Sequence, residues 1–120
     1  MNDPLIMRPG TFYYLAQLHN QLHRAGVEIH VDTIMTPTPT TADLSATLHS
    51  NHATATLKLS IRYFSDVSHY IDSYALNSQH FTTNQQKRNH RLTEEFLRNN
   101  ADNPVGYRQL STFIVDQLKG

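Results

Sequence analysis

The stretch Leu44–Tyr63, LSATLHSNHATATLKLSIRY, decides the fold. Leu44, Ala46 and Leu48 alternate with Ser45, Thr47 and His49; then Ala53, Ala55, Leu57, Leu59, Ile61 and Tyr63 alternate with Thr54, Thr56, Lys58, Ser60 and Arg62. A period of two sends successive side chains to opposite faces of a strand, so each run has one apolar and one polar face. A two-residue loop at Ser50-Asn51 pairs position 48 with 53, 46 with 55 and 44 with 57, which gathers the apolar residues on one face. A helix from Thr40 is the rival, because Thr40-x-x-Asp43 resembles a capping box. The register match and the threonine content favour a hairpin.

Upstream, Val27–Asp32 (VEIHVD) alternates in the same way and predicts another strand, with Glu28, His30 and Asp32 on its polar side. Between these strands, Thr36–Thr41 (TPTPTT) reads as an extended connector, since each proline fixes its own φ and moves its predecessor away from the α region. Before them, residues 11–25 predict a helix behind an N-terminal arm of residues 1–10. Thr11 is its expected cap, Phe12, Leu15, Leu18, Leu22 and Ala25 are its apolar stripe, and Gly26 is its stop.

Downstream, Val67, Tyr70, Ile71, Tyr74 and Ala75 fall at helical spacing and predict a helix over 65–77. A polar helix is expected over 82–99, anchored by Leu92, Phe96 and Leu97, and residues 99–103 break the chain. Asn103 and Pro104 then read as cap and first residue of a last helix carrying Tyr107, Leu110, Phe113, Ile114 and Leu118. The expected fold class is α+β, in a single domain over 1–120: a three-stranded antiparallel meander with helices packed on one face, in the order α-β-β-β-α-α-α. Its first five elements share their order with double-stranded-RNA-binding domains, but the helix over 65–77, the absence of a lysine triplet and the charge balance do not match that family.

The chain has 120 residues, and its ten Lys+Arg offset ten Asp+Glu. Up to position 64, Arg8, Arg24, Lys58 and Arg62 balance Asp3, Glu28, Asp32 and Asp43, so neither half has the basic excess of a generic phosphate binder. Without cysteine there is no disulfide, thiolate metal site or cysteine nucleophile. The start, MNDPLIMRPG, lacks the basic and long apolar regions of a secretory signal, and no window is apolar enough to span a bilayer, so the expected compartment is cytoplasmic, with no membrane partner.

Histidine is unusually frequent, at 8 of 120. His19 and His23 stand at the i,i+4 spacing that can chelate an ion, although Asn20 occupies the place where a zinc hydrolase needs a carboxylate. His30 on the first strand, with His49 and His52 flanking the hairpin turn, complete the candidate metal ligands. Lys87, Arg88, His90 and Arg91 form the basic cluster, a candidate nucleic-acid contact, while Arg91/Glu95 and Glu94/Arg98 are pairs that solvate a helix face without any ligand. Tyr13 and Tyr14, together with Glu28, His30, Asp32, His49, Lys58 and Arg62 on the polar sheet face, are the candidate partner-binding residues.

No Gly-rich phosphate loop, nucleophile elbow or nucleotide fingerprint occurs, and nothing calls for a cofactor. The expectation is a small non-enzymatic protein acting through protein–protein contact, as a regulator, inhibitor or assembly subunit, with a homodimer as one form. Compact phage or mobile-element proteins directed at host defence complexes are the general analogy. Nucleic-acid binding through residues 87–91 is the alternative, and a histidine-dependent metal site the second.

Overall fold

The computed structural model describes residues 9–38, 40–51, 53–64 and 68–119. Its elements are α1 (Pro9–Arg24), β1 (Glu28–Thr38), β2 (Thr41–His49), β3 (Thr54–Tyr63), β4 (His69–Asn77), α2 (Thr83–Asn99) and α3 (Tyr107–Lys119). The strands form one antiparallel sheet in the order β1-β2-β3-β4. The α+β class and the antiparallel sheet are as the sequence implies, but the sheet has four strands and the order is α-β-β-β-β-α-α.

The decisive hairpin forms with its faces as expected: Leu44, Ala46, Leu48, Ala55, Leu57, Leu59 and Ile61 are all buried. Its register differs by two residues, with Leu48 opposite Ala55, Ala46 opposite Leu57 and Leu44 opposite Leu59. The loop therefore runs from 50 to 53, and Ser50 closes it: its N–H donates to the Ala53 carbonyl at 3.0 Å and its Oγ accepts the Ala53 N–H at 3.2 Å. A slip of two leaves every side chain on its own face, whereas a slip of one would have turned the sheet inside out.

The helix expected over 65–77 is instead strand β4 from His69 onward; residues 65–67 lie outside the described part of the chain. Its buried side chains are His69, Ile71, Tyr74 and Leu76, spaced two, three and two. The spacing of three arises at a register shift, where Ile71 faces Ile61 while Ser73 faces Ser60, leaving Asp72 as the extra residue of a bulge. That inserted residue makes a strand resemble a helical stripe. A second bulge sits at Asp32 between Val31 and Thr33. Of the TPTPTT connector, Thr36–Thr38 belongs to β1, and Thr38 pairs with Thr41.

Helix α1 starts at Pro9, so Thr11 lies within it and is not its cap. The buried stripe is Tyr14, Leu18 and Leu22, while Phe12 is exposed and Leu15 only half-buried. Tyr14 can be buried because its hydroxyl donates to the Val105 carbonyl at 2.7 Å. Gly26 ends the helix at φ +81°, with Val27 N–H on the Leu22 carbonyl and Gly26 N–H on that of His23. The last helix begins at Tyr107 and not at Pro104, because Val105 first forms a β-bridge to His69 and is fully buried. All three helices bury their apolar residues against the same sheet face: Leu18 and Leu22 from α1, Phe96 from α2, and Leu110, Ile114 and Leu118 from α3. No helix among the described residues is long and apolar enough to cross a membrane.

Candidate interaction surfaces

With the helices on one face, the other carries the polar positions of every strand. Glu28, His30, Asp32 and His49 are exposed there, as expected, but they do not converge. Glu28 turns back to pair with His23 Nδ1 at 2.5 Å, and Asp32 accepts from the Thr47 hydroxyl at 2.9 Å, with His30 Nε2 3.6 Å away. His49 Nδ1 lies 3.4 Å from the Thr54 hydroxyl. Asp43 likewise accepts from Ser60 at 2.8 Å. Each carboxylate thus has a local partner, the ordinary state of a wet sheet face.

The metal candidates separate in the same way. His19 and His23 lie with ring centroids 6.5 Å apart and rings 4° from parallel, and His23 Nδ1 is taken by Glu28. His52 lies outside the described residues. Among the described residues no group of three or more His, Asp or Glu side chains could hold a metal ion.

The basic cluster divides around α2. Arg88 is half-buried and donates to the Asp116 carbonyl of α3 and to the Asn89 side chain, both at 3.3 Å. His90 pairs with Glu94. Only Lys87 and Arg91, one helical turn apart, remain as exposed cations of the four.

At the β3–β4 end of the outer face the side chains do assemble. The Arg62 guanidinium sits over the Tyr70 ring at 4.6 Å, with its Nε 3.9 Å from Asp72 and its terminal nitrogen 3.5 Å from Asp102. Phe64 packs beside Tyr70 at 5.7 Å between centroids and is nevertheless 63% exposed. Lys58 stands exposed on the same strand face. No family model, curated protein or solved structure matches this chain. Its surfaces therefore have to be read from their own chemistry.

Sequence reasoning found Arg62 but missed Phe64 and Tyr70. Phe64 continues the β3 alternation one step past Tyr63, which was the available signal; Tyr70 was hidden by the bulge. Tyr14, expected at a contact surface, is 0% exposed and belongs to the core. Tyr13 is exposed and meets Tyr107 edge-on at 6.4 Å, a neighbour that holds its phenol above the ordinary value.

Behind that surface lies His69, fully buried between Tyr14 at 4.0 Å and Tyr63 at 5.3 Å. Neither ring nitrogen has a hydrogen-bond partner among the described residues. Desolvation pushes its pKa down to about 4, so the ring is neutral at physiological pH. It is a core side chain, out of reach of any substrate.

Proposed function

We propose that this protein acts through protein–protein contact, with the uncovered sheet face as its docking surface and Phe64, Tyr70 and Arg62 as the anchor. The carrying observation is the exposed Phe64 beside a tyrosine capped by an arginine, on the sheet face that none of the described helices covers. Aromatic and arginine side chains dominate the energetics of protein contacts, and an exposed large ring costs solvation that a partner would recover. A net charge of zero leaves self-association unopposed by long-range repulsion, so a second copy is one admissible partner and another protein the second.

Sedimentation velocity over a concentration series, together with affinity capture from the source cells, tests this with the wild type, F64E and K87A/R91A. The wild type and K87A/R91A should form a complex, with a second copy or with a captured protein, and F64E should lose it. Equal complex formation by F64E, or none by any of the three, refutes the proposal.

A further inference from the structure

A cavity of about 520 Å3 opens at the C-terminal half of β4, between that strand and α2. The consecutive residues Tyr74, Ala75, Leu76 and Asn77 all border it. Tyr74 and Leu76 are the inward members of the strand, whereas Ala75 and Asn77 lie opposite the outward Lys58 and Thr56. Thr54, Ala55 and Thr56 of β3 and Ser78, Gln79 and Phe81 of the following turn border it as well, so the cavity reaches from the outer side of β4 around that strand's C-terminal end. β4 is the last strand of the sheet, and among the described residues its C-terminal half has no further strand beside it, whereas His69 at its start is bridged by Val105.

Across the cavity stand Gln86, Asn89, His90 and Thr93 of α2. None of the described residues that line it is Lys, Arg, Asp or Glu. Asn89 is only 4% exposed, its side-chain Oδ1 accepts from Arg88, and its Nδ2 has no hydrogen-bond partner among the described residues. A buried donor without an acceptor is costly.

We infer that this groove binds an extended, uncharged peptide segment of a partner protein, added as a fifth strand to the edge of β4. The inference rests on the protein-contact reading and adds a second element to it. A peptide is the ligand whose repeating C=O and N–H groups match a free strand edge on one side and a row of carboxamide and hydroxyl groups on the other. A charged segment would enter a neutral cavity without a counter-ion, so the bound residues carry no charge. The segment's backbone faces the exposed Gln86 and His90 side chains across the groove, and the half-exposed Ala75 leaves space on the outward side.

The probe is a display library of random nine-residue peptides panned against the whole protein, with enriched sequences synthesised, labelled with fluorescein and titrated by anisotropy. Enriched peptides should be uncharged over their central residues. Binding should weaken at least tenfold in Q86A/H90A, whose two side chains are exposed and can be removed without disturbing the core. N-methylation of alternate peptide amides should abolish binding in one phase and spare it in the other, and the Ala75–Asn77 amides should exchange more slowly when peptide is bound. Failure to enrich any peptide, or binding indifferent to Q86A/H90A and to N-methylation, overturns the inference. So does maltose shifting the same amide resonances when no peptide does. F64E should bind the peptides at full strength; if it does not, the peptides sit on the sheet face, and the groove falls while the contact reading stands.

Discussion

Protonation of His69 should unfold this protein by a predictable amount. The ring is fully buried between two tyrosines, neither nitrogen has a partner among the described residues, and its pKa falls from 6.5 to about 4. The unfolded chain therefore takes up a proton near pH 6.5, which the folded chain refuses until about pH 4. The neutral ring's contribution is complete above pH 6.5, is lost progressively as the pH falls toward 4, and levels off below. At 1.36 kcal/mol per unit the full loss is roughly 3 kcal/mol, most of it reached by pH 4.5. That is a large share of the roughly 5–15 kcal/mol that holds a domain together. Urea unfolding followed by circular dichroism at pH 7.5 and 4.5 measures it, with His69→Phe as the comparison, since phenylalanine retains a ring between Tyr14 and Tyr63 but cannot be protonated. Because exposed histidines and carboxylates titrate in both proteins, the difference of differences isolates His69: the wild type should lose roughly 2–3 kcal/mol more than H69F over this interval. At pH 7.5 the variant should be as stable as the wild type or more so, because two unsatisfied nitrogens have gone. Equal losses in the two proteins would refute the reasoning.

Three further substitutions test the scaffold by thermal or urea unfolding. Gly26→Ala should cost about 1–2 kcal/mol, the penalty of a left-handed residue with a Cβ, because the added carbon meets nothing within 4 Å and only the φ of +81° opposes it. Thr82→Ala removes the hydroxyl half of the α2 capping box, in which Thr82 Oγ1 accepts from Gln85 N–H, keeps the backbone N–H that donates to Gln85 Oε1, and should cost about 1 kcal/mol. Gln117→Leu strands the buried Tyr74 hydroxyl, which donates to Gln117 Oε1 at 2.5 Å, and should cost about 1–3 kcal/mol. Adding Tyr74→Phe to that variant should recover part of the loss; a double mutant less stable than Q117L would show that the hydroxyl has another partner.

What could be read without coordinates was what repeats regularly. Residues 44–63 keep strict alternation over two strands, and their faces are correct even though the loop is two residues longer than a tight turn, because a two-residue slip does not alter parity. Gly26 was legible because only the end of a helix against a strand requires that residue there. The misreadings have single-residue causes. Asp72 bulges and converts the strand His69–Asn77 into a false helical stripe; Val105 spends itself on a bridge to His69 and delays α3 to Tyr107; the Tyr14 hydroxyl finds a carbonyl 91 residues away and exchanges roles with Phe12. The candidate sites fared worse than the fold, because a list of polar residues on one face does not say which of them converge. Histidines 19, 23, 30 and 49 each settle on a local neighbour, whereas Arg62 gathers Tyr70 and Phe64 across a strand pair that the sequence had not revealed.

The two edges of the sheet differ in a way that bears on function. An unprotected edge strand pairs indiscriminately, and natural sheets blunt such edges with charge, proline and bulges. β1 has all three: Glu28 at its start, a bulge at Asp32 that divides it, and Pro37 near its end, where a ladder donor is missing. β4 spends its bulge and its acidic residue together at Asp72, and the following Ser73–Asn77 runs straight, without charge or proline. Its protection comes from α2, which stands alongside and leaves a space of about 520 Å3 rather than an open flank. A helix beside a bare edge excludes another sheet but admits a single thin strand. On the proposed reading the same arrangement selects what pairs with β4, and Gln86, Asn89, His90 and Thr93 line the space across from it.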